Sequence, residues 1–290
     1  MTTYIFIDGS YFVFFRYYAL KMWWKMAHPE CENMDLSICD EFLEKYRRTF
    51  VDTVAELPKK LGLVKAKRGK KMADLVKEAN IKILVAQDCE RQKIWRMKHY
   101  PEYKGTRVTE DGDKVGTFFK IAYEEKLFEL GGASQVLKHD SLEADDIIAI
   151  SIKQLNHYSL EYHSDFKFYI IASDMDYLQL ACDNIQIFDL KYKNIREKKS
   201  SCGDAMKDLF MKCVCGDKSD NIPSIFPKCG KKTAEALYEM TEEERIAFLA
   251  TKPGATETYN RNKLIIDFIN IPDDLAGLFL DKNFQNMLAV

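Results

Sequence analysis

Apolar residues follow two rhythms along this chain. Short unbroken runs occupy residues 4–7 (Tyr-Ile-Phe-Ile), 82–86, 166–172 and 185–190. Runs this short, rich in β-branched and aromatic residues and closed by turn formers, predict buried strands. Elsewhere the apolar positions recur at helical spacing, over residues 11–25, 35–57, 117–130 and 141–156, with Gly131-Gly132 stopping the third. Beyond residue 204 the helical rhythm takes over, in 205–215, in a segment opening near Lys228, and through 241–290 with breaks at Pro253-Gly254 and Pro272. Strands alternating with helices predict an α/β fold whose mostly parallel central sheet is covered on both faces. The expected division is an α/β core over 1–204, a helical region over 205–240, and C-terminal helices over 241–290 packing on the core.

The strand ends carry the candidate chemistry. Residues 4–7 run into Asp8-Gly9-Ser10, residues 82–86 into Gln87-Asp88, and residues 166–172 into Ser173-Asp174-Met175-Asp176. In open α/β sheets, functional groups gather beyond the carboxyl ends of strands. Helix 141–156 opens on Glu143, Asp145 and Asp146, three like charges in one turn. The helix dipole relieves some of that repulsion, and a divalent cation would relieve more. The loop 216–223 adds Asp217 and Asp220. Each acid has a bland reading: a turn residue for Asp8, a solvated acidic first turn for the triad. Together the nine fall on one predicted rim. Carboxylates without histidine or cysteine select hard cations such as Mg²⁺ or Mn²⁺. Nine exceed what one ion needs, and two ions suit phosphodiester hydrolysis. No Ser-His-Asp or Cys-His arrangement competes, and the phosphate-loop spacing GxxxxGK[ST] is absent.

Composition sharpens this. Eight cysteines are spread singly among 290 residues with five histidines, which argues against structural zinc and for reduced thiols in an intracellular protein. No apolar run is long enough for a membrane span, and no signal peptide is expected. Net charge is −2, yet setting aside nine of the 45 acidic residues leaves 36 against 43 basic ones. With metals on the rim, the remaining surface can hold a polyanion. Lys59–Lys71 is strongly basic, either a solvated face or a phosphate contact. Arg91 to Arg107 interleaves cations with aromatics, as a nucleic-acid strand requires. The lysines beside Gly230 open a helix whose N–H groups suit a phosphate.

Several of these segments, in order, resemble the 5′-nuclease (flap endonuclease) superfamily. They are Phe6-Ile7-Asp8-Gly9-Ser10 with Arg16, Tyr103-Lys104-Gly105-Thr106-Arg107, Glu143-Ala144-Asp145-Asp146, Ser173 to Leu180, and Gly216 to Pro223 followed by Gly230-Lys231-Lys232-Thr233-Ala234. The resemblance implies a PIN-like nuclease core, an arch over 108–135 and a helix–three-turn–helix over 205–240. It implies one metal near Asp8, Asp88, Glu143, Asp145 and Asp146 and another near Asp174, Asp176, Asp217 and Asp220, as two Mg²⁺ ions replaceable by Mn²⁺. Asp8, Asp145 and Asp174 would be central to catalysis. Lys104 and Arg107 would grip the scissile phosphate, and Tyr103 would stack on a base. Arg16, Arg96, Lys228, Gly230, Lys231, Lys232 and Thr233 would contact DNA. Ser224 and Pro227-Lys228 depart from the family's glycine-rich turn, which puts a K⁺ site there in question. The implied activity is metal-dependent 5′→3′ exonuclease and 5′-flap cleavage by a monomer acting on branched or 5′-ended duplex DNA. RNA primers and RNA/DNA hybrids are left open. The rivals are a non-catalytic DNA-structure-binding protein and an aspartyl-nucleophile phosphatase; the second lacks an acid two residues after Asp8.

Overall fold

The computed structural model describes residues 1–31, 34–107, 112–198 and 201–289. Five parallel strands form one sheet in the order β3-β2-β1-β4-β5. They are β1 (Thr2–Asp8), β2 (Ile81–Gln87), β3 (Gln135–Lys138), β4 (Phe166–Ile171) and β5 (Ile185–Phe188). β1 is central, and its residues 3–7 are all buried, as expected of a strand covered on both sides. The runs at 4–7, 82–86, 166–172 and 185–190 are thus strands. β3 is a strand the apolar pattern did not reveal. It is a four-residue edge strand in which only Leu137 is fully buried, so it carries no apolar run.

The helices are α1 (Gly9–Ala27), α2 (Asp40–Lys60), α3 (Met72–Glu78), α4 (Gly112–Glu124), α5 (Leu127–Leu130), α6 (Ala144–Glu161), α7 (Ala205–Cys215), α8 (Lys231–Glu239), α9 (Glu242–Ala250), α10 (Ala255–Ile266) and α11 (Asp273–Ala289). Along β1 the side chains alternate between two cores. Ile5 and Ile7 pack with Phe12, Phe50 and Phe118 from α1, α2 and α4. Tyr4 and Phe6 pack with Ile147, Ile148 and Leu155 of α6 and Phe279 of α11. Each such fully buried side chain contributes roughly 1.5–3 kcal/mol. A smaller core joins Val214, Ala234, Leu237 and Leu249 of α7 to α9. Lys82 ties α11 down: its ammonium donates to the Leu288 carbonyl at 2.6 Å, which also suits the negative end of that helix.

The helix expected over 117–130 is two helices, because Lys126 adopts a left-handed conformation between them. The first residues of the arch expected over 108–135, residues 108–111, lie outside the described residues. Among the described residues, no helix is long and apolar enough to cross a membrane.

Candidate metal centre and its basic rim

The strand order reverses at β1, whose neighbours are β2 on one side and β4 on the other. Crevices at such a switch point are where α/β sheets hold ligands. Asp8 ends β1, Asp88 lies just past β2, and Asp174 lies just past β4. Three acids distant in sequence are therefore neighbours across three adjacent strands. α6 docks its start against them: the Ala144 N–H donates to Asp88 Oδ1 at 2.7 Å. Asp8 itself caps α1, accepting from the Tyr11 N–H at 2.9 Å, and takes a second bond from the Tyr177 hydroxyl at 2.9 Å.

The triad at the start of α6 splits into two roles. Glu143 and Asp146 form a reciprocal capping box. Asp146 is 0% exposed and points inward. Its carboxylate accepts from Arg96 Nη1 and Nη2, both at 2.7 Å, and from the Trp95 indole at 3.0 Å. Glu143 bridges Arg96, at 2.9 Å, and Lys104. Among the described residues, Asp145 has no ion pair. A ligand oxygen from each of the three lies within 4.8 Å of the others.

The second group gathers around a lysine. Lys212 of α7 lies 2.5 Å from Asp176 and 2.7 Å from Asp217. Asp217 and Ile222 close their loop with an antiparallel bridge. Gly216 is required there: its φ is 73°, and a Cβ would meet the Ile222 carbonyl at 2.3 Å. Asp220 is buried and pairs with Arg107 at 2.5 Å, while the Lys104 N–H donates to the Asp220 carbonyl at 2.8 Å. The basic turn 103–107 and the acidic loop 217–222 are thus one docked unit at the edge of the acid cluster.

Three expectations need correction. Arg96 does not face DNA. It is 2% exposed, caged by Glu143, Asp146 and the Ile265 carbonyl, and stacked on Trp95. Asp146 is the partner of that buried cation, so direct ligation would require breaking the cage. Tyr103 does not offer its ring to a base: it is 3% exposed and packed among Ile94, Cys213 and Ile265. Arg16 lines a hollow with Thr53, Lys60 and Tyr192. Lys228, Gly230, Lys231, Lys232 and Thr233 stand together at the start of α8, and Lys228 holds a left-handed φ of 62°, a conformation glycine adopts more readily. Lys212, Tyr177 and Trp95 are site residues that sequence reasoning missed. Tyr177 stood inside a quoted motif, but nothing marked Lys212 within an ordinary helix.

The electrostatics fit a cation. Burial pushes the Asp8 carboxyl up to about 7, helped by repulsion from Asp88 and Asp174. Burial likewise raises Asp88, with Glu143 adding to it, and lifts Asp145 well above the usual carboxylate range. Asp176 rises to about 7 because burial and Asp174 outweigh Lys212. Asp217 is also penalised by burial, but Lys212 and the Ser219 donors hold it at about 2. Among the described residues, Asp8, Asp88, Asp145 and Asp174 make no ion pair, whereas the other five acids each meet a lysine or arginine. Oxygen-only and without a counter-charge, these four are of the donor type a hard divalent ion prefers, while the acids whose ligand oxygens already lie close enough to share one ion are Glu143, Asp145 and Asp146.

A pH test follows. Unfolded carboxyls titrate near about 4. Between there and about 7 the metal-free native state keeps protons on Asp8 and Asp176 that the unfolded chain has lost. Stability then falls as pH rises. The lowered Asp217 acts the opposite way, but only below about pH 4. In chelator, the melting temperature is expected to drop by several degrees from about pH 5 to about pH 8, and Mg²⁺ to restore it at the upper end. A melting temperature that stays flat or climbs in chelator contradicts this reading.

Comparison with known proteins agrees with the geometry. Residues 62–207 match the family model described as 5′-3′ exonuclease, N-terminal resolvase-like domain. DNA polymerase I of Treponema pallidum is 33% identical over 156 residues, 49% of this chain and 14% of that protein. Ribonuclease H of Enterobacteria phage T4 is 34% identical over 160 residues, 49% of this chain and 48% of the phage protein. The 5′-3′ exonuclease of Buchnera aphidicola is 32% identical over 161 residues, 53% of this chain and 51% of that protein. The matches thus span about half the length of the phage and Buchnera relatives and a small part of the polymerase. Among solved structures, T5 5′-exonuclease with bound zinc aligns over 98% of both chains, with a TM-score of 0.63 and 18% identity. Bacteriophage T5 flap endonuclease in a complex with DNA and metal ions aligns over 98% of both, with a TM-score of 0.62 and 17% identity. The chain belongs to the 5′-3′ exonuclease family.

Proposed function

We propose that this protein is a structure-specific, divalent-metal-dependent 5′ nuclease that hydrolyses phosphodiester bonds in DNA, as an exonuclease at 5′ ends and an endonuclease at 5′ flaps. The observation that carries this is the convergence of Asp8, Asp88, Asp145 and Asp174, unpaired, at the switch point of the sheet, with Lys104 and Arg107 at its edge. The relatives named for exonuclease and ribonuclease H activity, and the T5 structures with DNA and metal, support the same reading. RNA primers are a further substrate class on this reading.

Asp8, Asp88 and Asp145 would hold one ion, and Asp174, Asp176 and Asp217 a second, Mg²⁺ by the hardness of the donors. Bound divalent ions supply water activation and neutralise charge on the scissile phosphate. The chain's own residues do the rest. Glu143, fixed by Arg96, holds the Lys104 ammonium at the lip of the cluster. Arg107 is half exposed beside Asp220, where it can take a phosphate oxygen without leaving its loop. Both place positive charge where negative charge develops during cleavage. The N–H groups at Gly230–Thr233, with Lys228, Lys231 and Lys232, offer a second phosphate contact to duplex backbone, which selects structure rather than sequence. In domain terms, residues 1–204 would form the nuclease core, with α4 and α5 packed onto its sheet through Phe118 and Phe128, 205–240 the duplex grip and 241–290 a buttress.

A labelled 5′-flap duplex with Mg²⁺ tests the proposal directly: cleavage near the junction is expected, and inertness with both Mg²⁺ and Mn²⁺ refutes it. Lys104→Met keeps the aliphatic stem and removes the charge. It should slow single-turnover cleavage by about 10²–10³-fold while leaving duplex affinity within a few-fold. An unchanged rate would remove Lys104 from the chemistry.

A further inference from the structure

Tyr123 stands one residue before the end of α4. Its ring packs on Phe128, with centroids 5.5 Å apart, and beside Phe119 at 6.5 Å. Its hydroxyl is fully buried and, among the described residues, meets no hydrogen-bond partner. Buried hydroxyls are nearly always bonded, so an orphan near a reactive cluster calls for a reason. The position of this one is specific. A Cβ added to Gly9 would lie 2.2 Å from the Tyr123 oxygen and 2.7 Å from the Ala86 carbonyl. Only glycine lets the hydroxyl reach the Asp8-Gly9 junction between β1 and β2. The charged groups that act on it most are Asp88 and then Asp8, with Glu129 weaker. The residue also lines a cavity of about 600 Å³ with Ser10, Asp88, Lys120, Glu124 and Lys138.

We propose that Tyr123 is a positioning residue for the metal centre. Its hydroxyl donates to the Asp88 carboxylate when that carboxylate turns to hold a cation, which fixes the ligand and ties the base of α4 to the site. The physical logic is direct. Burial opposes the ionised carboxylate that a cation needs, and a donor to it favours that form. Asp88 already takes one bond from the Ala144 N–H. The Ser10 hydroxyl also acts on that carboxylate, and Ser10, Asp88 and Tyr123 line the same cavity. Donors behind a ligand hold its orientation, and their loss weakens metal binding.

This inference rests on the proposed metal-dependent activity, and its test separates the two. Mn²⁺ binding to the DNA-free protein is measured by calorimetry or electron paramagnetic resonance, for wild type and Tyr123→Phe. The substitution is expected to weaken Mn²⁺ binding about tenfold and to leave the melting temperature in chelator unchanged. Phe119→Leu, which loosens the same helix without touching a hydroxyl, should lower the melting temperature and leave Mn²⁺ affinity alone. Equal Mn²⁺ affinity in wild type and Tyr123→Phe overturns the proposal. So does an equal loss of affinity in Phe119→Leu, which would assign the effect to ring packing. If wild type binds Mn²⁺ and shows the Tyr123 effect but cuts no flap, the nuclease reading falls and the positioning role stands.

Discussion

Asp145→Asn is expected to abolish flap cleavage, by about a thousandfold or more, while raising the stability of the metal-free protein. The two effects have one cause. Asp145 is half-buried beside Asp146 and Glu143, and desolvation, with the repulsion of those two acids added, pushes its carboxyl well above the usual range. Arg96 is near enough to ease the repulsion, but its guanidinium is committed to Asp146 and Glu143. An amide of the same shape removes the repulsion and keeps the packing, so the melting temperature in chelator should rise. The same change removes a charged ligand from the hard-cation set, so Mg²⁺ should no longer stabilise the protein as it does wild type. Duplex binding should survive, because the residues at Lys228–Thr233 are untouched. Single-turnover cleavage, melting with and without Mg²⁺, and a duplex-binding titration read the three outcomes. A variant that still cuts at near wild-type rate would place the reactive ion elsewhere. Wild type that binds flap DNA yet never cuts it would favour the non-catalytic alternative.

The second large effect concerns folding. Arg96→Met is expected to destabilise the protein by about 3–5 kcal/mol. The guanidinium bonds Glu143, Asp146 and the Ile265 carbonyl, and lies 4.7 Å over the Trp95 ring. Methionine fills much of the volume but leaves the buried Asp146 carboxylate without a cation and Glu143 with Lys104 alone. That costs far more than losing a surface ion pair, which is worth about 0–1 kcal/mol. The Ile265 bond also joins α10 to the strand-end loops, so the C-terminal helices should loosen as well. Urea unfolding monitored by tryptophan fluorescence measures this, since Trp95 sits in the same cage. A variant of wild-type stability with weakened DNA binding would return Arg96 to the DNA-contacting role.

Arg96 also shows where reading residues in a line reaches its limit. In sequence it stands among Arg91, Lys93 and Lys98, indistinguishable from them. In the fold Arg91 and Lys93 are exposed and Arg96 is sealed. Tyr103 likewise lies between an exposed Glu102 and a half-buried Lys104, yet its ring fills the core under the basic turn. Glu143, Asp145 and Asp146 were legible as a group but not as individuals. The capping box and the Arg96 cage claim the first and last, and those partners come from elsewhere in the chain. Lys212 had no signal at all, because an isolated lysine in an amphipathic helix is ordinary until two aspartates from other segments meet it.

The sequence by itself determined the parallel α/β class, the acids at the strand ends and their restriction to oxygen-only chemistry. Those follow from local rules: buried strands need unbroken apolar runs, and their turns carry what is polar. Only the tertiary structure decided which acids remain without a counter-charge, that a short edge strand completes the sheet, and that a buried hydroxyl reaches the Asp8-Gly9 junction. Each of these depends on which distant group arrives alongside, and charge and burial are properties of neighbours in space.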